Sequence, residues 1–273
     1  MGLNDKYKVT VVVPLYNKAD HLENRLRFIN KNSSELVRHI IVDHSSTDGS
    51  SEIARRFCRE HENFDYVLIH NTTHNPSEPR NVGLQMTETD YIMFVDADDL
   101  VFTKNVDETV NYMDAHPHCS AACGVFSEAF DLQYYDSDFG AFIRYTEMER
   151  DFRFGNIYDS LFGLAYMRTG DLLRKSKIKH PYRNTNIEDF VFGIEFLYNL
   201  EQADYIIQTK DIVYIYNLFY IERIKSDSDD MVSKNVTWLQ QAYNTLYENY
   251  PEFSIKADVF GKVKVVTTEL SRT

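Results

Sequence analysis

Four short apolar runs constrain the fold of this chain more than any other feature. KVTVVVPLY (residues 8–16), RHIIVD (38–43), FDYVLIH (64–70) and DYIMFVD (90–96) are rich in β-branched and aromatic residues, and they recur at intervals of roughly 25 to 30 residues. Almost unbroken apolar runs of this length suit strands buried on both faces. Pro14 is expected to stop the first, because it has no N–H to donate. Helical patterns lie between them. HLENRLRFIN places Leu22, Leu26 and Ile29 on one face, and GSSEIARRFCRE sets Ile53, Ala54 and Phe57 behind Asp48 and Ser50 as caps. Strand alternating with helix predicts an α/β fold with a mostly parallel sheet and right-handed crossovers.

Ligands of open parallel sheets gather beyond the carboxyl ends of the strands. The residues there are Pro14-Leu15-Tyr16-Asn17, Asp43-His44-Ser45-Ser46, and Asp96, Asp98 and Asp99. They are polar and acidic rather than glycine-rich. With no GxGxxG after the first strand and no GxxxxGK[ST] anywhere, a dinucleotide-binding Rossmann domain and a P-loop enzyme are disfavoured. Three carboxylates within four positions repel one another unless a cation sits among them or some carry protons. A hard divalent ion, its shell completed by a substrate diphosphate, would relieve that repulsion; helix capping by the same acids is the plainer reading of such a turn.

Charge and composition remove other classes. A net charge of −13 without a concentrated basic patch argues against nucleic acid as a partner. The most basic stretch, LLRKSKIKHPYR (172–183), reads as a solvated helix end. Three cysteines, an odd number, without metal-type spacing read as buried free thiols in a reducing compartment. No stretch approaches about 18 apolar residues, so the expectation is a cytosolic protein without a transmembrane segment. The NTT and NVT triplets at Asn71 and Asn235 then read as chance matches to a glycosylation pattern.

The motifs VVVPLYNKADHLENRL, IIVDHSSTDGSSEIA, PRNVGL and YIMFVDADD, in this order across roughly residues 8–100, followed by IEDFVFGIEFL from Ile187, resemble the family 2 glycosyltransferases with the nucleotide-sugar-binding fold called GT-A. The PRN form of the arginine motif is similar to that of bacterial enzymes that decorate cell-surface polymers such as wall teichoic acid. The resemblance implies a UDP-sugar donor, a glycan or polymer acceptor, Mn²⁺ or Mg²⁺, and inversion at the anomeric carbon. It implies that Pro14, Tyr16 and Asn17 line the nucleobase pocket, with the Tyr16 ring on uracil and Asp43 accepting its N3–H. His44 departs from the Asp common at that position. Arg80 would approach the diphosphate or hold the acidic loop. Asp96 would contact ribose or metal, Asp98 the metal, and Asp99 would orient the loop.

The resemblance also makes Asp189, second acid of the ED pair, the catalytic base, with Glu188 the next to test. A carboxylate in the first turn of a helix is favoured as the anion, and so can act as a base without a raised pKa. Arg223 and Ser228 would belong to a loop closing on the diphosphate. Residues 1–228 are expected to form the transferase domain, with 1–100 binding nucleotide and 101–228 building the acceptor side. Residues 229–273 are expected to be a helical C-terminal segment, with Leu239, Ala242, Tyr243, Leu246, Tyr247 and Tyr250 on one stripe. Peripheral association with membrane-bound acceptor machinery is compatible with these expectations. Two other classes stay open at this point: a nucleotide-sugar-binding module without turnover, and a sugar nucleotidyltransferase, which would need a basic Gly-rich loop after the first strand.

Overall fold

A computed structural model describes residues 6–70, 75–129, 171–184, 188–217, 244 and 264–266. Its elements follow in chain order: β1 (Val9–Leu15), α1 (Ala19–Lys31), β2 (Val37–Asp43), α2 (Ser50–Glu60), β3 (Phe64–Leu68), α3 (Ser77–Met86), β4 (Tyr91–Phe94), β5 (Leu100–Phe102), α4 (Val106–Ala115), β6 (Cys119–Ala129), β7 (Asp171–Arg174), α5 (Glu188–Tyr198), β8 (Tyr205–Asn217) and β9 (Lys264–Val266). The strands form one sheet in the order β3-β2-β1-β4-β7-β6-β8-β5, with β9 added alongside β8.

The first four strands are parallel, as their sequence predicts. Beyond β4 the sheet becomes mixed. β7 runs antiparallel to both β4 and β6, β5 runs antiparallel to β8, and β6 and β8 are parallel. The expectation of a mostly parallel sheet is therefore corrected for the second half. β3 lies at the sheet's edge and is only half-buried after Phe64, rather than covered on both faces.

Pro14 does not stop β1, which continues to Leu15 and keeps Pro14 in register with Val42. Alternation along the strand explains why. The Val12 carbonyl accepts the Val95 N–H, so Val12 and Pro14 both face the β4 edge, and β4 pairing ends at Val12↔Phe94. The missing N–H thus points past the end of its neighbour, where no ladder bond is lost.

Leu22, Leu26 and Ile29 of α1 are buried on the sheet as their spacing predicts, together with Phe28 and Arg25. Ala54 and Phe57 of α2 join the same core, with Ile53 packed at its margin. On α3, a β-carbon added at Gly83 would fall 2.2 Å from Cγ1 of Val12, so that helix lies against β1 at a distance only glycine allows.

The basic run at 172–183 is not a solvated helix end. Leu172 and Leu173 are fully buried in β7, and a single 3₁₀ turn, Lys175–Lys177, follows. Lys177 pairs with the buried Asp204 at 2.8 Å, and Arg183 with the buried Glu195 at 3.1 Å. Cys119 and Cys123 are buried free thiols, as expected, and Cys58 is half-buried. Within residues 229–273, Asn244 is helical and Lys264–Val266 form a strand parallel to β8; the rest of the segment expected to be helical lies outside the described residues. The stripe from Leu239 to Tyr250, apart from Asn244, lies outside the described residues. Among the described residues no helix is long and apolar enough to cross a membrane.

Candidate active site

The chain leaves β1 toward β2 and β3, then returns to the other side of β1 as β4. The loops after β1 and β4 therefore part at their carboxyl ends and open a crevice at the switch point.

The β1–α1 and β2–α2 loops are bonded to each other along their length. Asn17 N–H donates to Ser46 Oγ (3.0 Å), Thr47 N–H to Asn17 Oδ1 (2.8 Å), Lys18 N–H to Ser50 Oγ (2.8 Å) and Ala19 N–H to Asp48 Oδ2 (2.9 Å). Asp48 and Ser50 thus satisfy orphan donors at the start of α1 as well as α2. Positive φ angles at Asn17 (49°), Ser45 (57°) and Gly49 (99°) give the two turns their shape. Asp43, fully buried, anchors the second loop: it accepts the Ser46 N–H at 2.9 Å, the Tyr66 hydroxyl at 2.7 Å and the Ser51 hydroxyl. A carboxylate has about four lone-pair positions, and three of those of Asp43 are taken up within the protein. The Asn17 side chain is likewise engaged within the protein. Pro14 is half-buried, while the Tyr16 ring stands exposed at the mouth.

Asp96, Asp98 and Asp99 follow β4 and can bring ligand oxygens within 4.8 Å of one another. Each is met by a group from elsewhere in the chain. Arg80 of α3 donates to Asp96 at 2.8 Å and, through its other terminal nitrogen, to Glu188 of α5. Lys18 Nζ lies 2.6 Å from Asp98 Oδ2. The Tyr214 hydroxyl of β8 donates to the buried Asp99. The Arg25 side chain of α1, only 4% exposed, feels the charges of Asp98 and Asp99. Burial presses its guanidinium toward the neutral form and those acids oppose this; its Nε and Nη1 have no hydrogen-bond partner.

Arg80 is the centre of the crevice wall. It is 4% exposed, and its guanidinium lies 5.1 Å from the centre of the Tyr182 ring, which itself stacks on Phe192. Burial by itself disfavours its charged form. Asp96, Tyr182, Glu188 and Asp189 outweigh that and hold it firmly cationic. The residues flanking it bind the opposite loop, with Ser77 donating to the Arg183 carbonyl (2.6 Å) and Asn81 to the Tyr182 carbonyl (2.9 Å). Through Arg80–Glu188, the first turn of α5 and with it the nearly buried Asp189 come to the same wall as Asp96.

The structure therefore brings Arg80, Asp96, Asp98 and Asp189 together, while Tyr16 is exposed and Asp43 fully buried. Arg223 and Ser228 lie outside the described residues. An all-oxygen donor set with three clustered carboxylates fits a hard divalent cation. Lys18, Arg25, Tyr182 and Tyr214 were not expected here. For Arg25 a signal existed, since its spacing from Leu22 and Ile29 places it on the buried face of α1.

The sequence matches the Glycosyl transferase family 2 profile over residues 10–173. It is 34% identical over 101 residues to the uncharacterised glycosyltransferase YibD of Escherichia coli K12, covering 37% of this chain and 28% of that protein. It is 27% identical over 111 residues to the poly(ribitol-phosphate) β-N-acetylglucosaminyltransferase TarS of Staphylococcus aureus Mu50, covering 40% and 19%. The chain thus spans less than a third of the length of either. A crystal structure of S. aureus TarS with UDP superposes with a TM-score of 0.56 at 19% identity, covering 77% of this chain and 60% of that one. The mannosyltransferase PcManGT of Pyrobaculum calidifontis with GDP-Man and Mn²⁺ gives 0.52 at 18% identity, covering 77% and 57%. These two likenesses bear on the fold; the profile spans more than half of the chain, and the protein belongs to glycosyl transferase family 2.

Proposed function

We propose that the protein is a metal-dependent inverting glycosyltransferase that moves a sugar from a UDP-sugar to a hydroxyl of a glycan or cell-surface polymer, on a GT-A fold. The observation that carries this reading is the convergence at one switch-point crevice of three carboxylates, the cationic Arg80, and Asp189 at the start of α5. The UDP named in the TarS complex, and the polymer in that enzyme's name, support the choice of donor and acceptor.

Each residue then has a task. Asp98 and Asp96 would hold Mn²⁺ or Mg²⁺, which when bound neutralises charge on the diphosphate leaving group. Tyr16 offers an exposed ring for the base, beside Pro14 and Asn17, and Asp43, buried beneath the β2–α2 turn, would accept the uracil N3–H. Arg80 keeps the Asp96 loop and α5 in fixed relation, and Asp99, held by Tyr214, orients that loop. Asp189 takes the proton of the acceptor hydroxyl as that oxygen bonds to the anomeric carbon. The carbon–oxygen bond to UDP breaks on the opposite face, so the configuration inverts. Residues 1–100 would serve the nucleotide and 101–228 the acceptor. The proposed setting is the cytoplasmic side, at the inner face of the membrane, in peripheral association with membrane-bound acceptor machinery.

Incubation with a panel of UDP-sugars and Mn²⁺, with and without polyol-phosphate or oligosaccharide acceptors, tests this. Acceptor-stimulated UDP release is expected. Pyrophosphate release from a nucleoside triphosphate and a sugar phosphate, with UDP-sugars left intact, would overturn it in favour of a nucleotidyltransferase.

A further inference from the structure

Arg25 stands where an apolar residue would be expected. Its neighbours on the buried side of α1 are Leu22, Leu26, Phe28 and Ile29, and its own side chain is only 4% exposed. Nε and Nη1 are buried without a hydrogen-bond partner, and among the described residues no carboxylate forms an ion pair with the guanidinium. Unpaired donors of a charged group are costly in an interior, and an apolar side chain of similar length would pack there more readily. Packing gives no reason for an arginine at this position.

The acidic loop opposite α1 does. The helix is tied to that loop and to β5 along its length: Lys18 Nζ lies 2.6 Å from Asp98 Oδ2 at its start, the Phe28 and Phe102 rings meet edge to face with centres 4.6 Å apart, and the Thr103 N–H donates to the Asn32 carbonyl (2.9 Å) at its end. Arg25 sits between these ties, where the charges of Asp98 and Asp99 reach it and offset part of the burial that disfavours its own. Arg80 and Lys18 bond directly to Asp96 and Asp98. Arg25 bonds to neither Asp98 nor Asp99, so it acts on them through its field, and it stays charged as a guanidinium does in proteins. Resting on the donor-site reading above, we propose that Arg25 is a fixed counter-charge that sets how tightly the divalent ion is held: from the core side of the acidic loop it lowers the negative potential that draws the cation, so that the ion is retained firmly only while a nucleoside diphosphate adds its own oxygens. A charge in the interior acts through a lower effective dielectric than water, which is why a residue without a bond to the ligands can carry this role.

Titration of the full chain with Mn²⁺, alone and with saturating UDP, followed by loss of the free-ion electron paramagnetic resonance signal, reads the affinity directly. Arg25→Met, which suits the apolar neighbours on α1, should bind Mn²⁺ about tenfold more tightly than wild type under both conditions. Mn²⁺ should also raise its melting temperature by more than it raises that of wild type. Arg25→Lys keeps the charge and should bind Mn²⁺ as wild type does, which separates charge from packing. Equal affinities in wild type and a folded methionine variant would overturn the inference while the donor-site reading stands, and so would the same tightening in the methionine and lysine variants. If Arg25→Met does not fold, Arg25→Gln takes its place with the same expectation; failure of both neutral variants to fold would make Arg25 a structural cation and overturn the inference as well. If Mn²⁺ binds wild type neither alone nor with UDP, the donor-site reading itself fails.

Discussion

At the scale of single residues, function and stability place different demands on the buried acids. Asp189, nearly buried in the first turn of α5, is proposed to act only when a hydroxyl is bound. Asp189→Asn preserves size and should lower transfer by about 10²–10⁴-fold, with UDP-sugar affinity and melting temperature little changed. Steady-state rates, UDP titration and a melt on one preparation check this. Transfer within a few-fold of wild type would move the role to another residue. Glu188 is the less suitable substitute, because its carboxylate is committed to Arg80.

Asp171 shows the opposite case. At the start of β7, in register with Cys123, its carboxyl is pushed up to about 7 by burial, with the thiol hydrogen bond opposing the shift. The folded state therefore retains this proton at pH values where the unfolded chain has released it. Stability from this group falls as pH rises from about 4 to about 7 and is level above that. Melting curves at pH 4.5 and 7.5 should show wild type losing more stability over this interval than Asp171→Asn, by a few kcal/mol. Equal losses in the two proteins would remove Asp171 as the cause.

At the scale of elements, the first four strands were legible because each is a dense apolar run bounded by polar turns. In the second half the helix starting near Asp189 was legible, observed as α5, but the strands β5, β6 and β8 were not. β6 begins CSAACG and β8 reads YIIQTKDIVYIYN, where small or charged residues interrupt the pattern, and β5 has three residues. Their antiparallel pairings join positions as distant as Leu100 and Ile215, which no local pattern encodes. The site follows the same division. Asp96 and Asp98 were readable from their crowding, whereas Arg80–Glu188 spans 108 positions, and nothing in the sequence singled out Lys18.

Gly83 ties an element to the site. Gly83→Ala gains about 1 kcal/mol of helix propensity. It must also place a methyl 2.2 Å from Val12 Cγ1, and overpacking of this kind costs about 1–3 kcal/mol. A lower melting temperature and weaker UDP binding are expected, since α3 carries Arg80. Val12→Ala in the same chain should recover part of both losses. A variant as stable as wild type would mean that α3 can shift without disturbing β1.

At the scale of the whole molecule, the sheet joins a parallel half, shaped by its sequence for a ligand at the switch point, to a mixed half that delivers α5 and β8 to the same crevice. Arg80–Glu188 and Asp99–Tyr214 are among the cross-links between the halves. The acidic crevice accounts for metal dependence in the proposal: EDTA should abolish transfer, Mn²⁺ should restore it, and undiminished transfer in a rigorously metal-free preparation would contradict the roles of Asp96 and Asp98. The most direct measurement is proton NMR of the anomeric signal during turnover of an α-linked UDP-sugar with Mn²⁺ and a hydroxyl-bearing polymer. The account predicts a β-linked product with one UDP released per sugar transferred. An α-linked product, or a donor that persists unchanged with every acceptor while UDP binds normally, would contradict it.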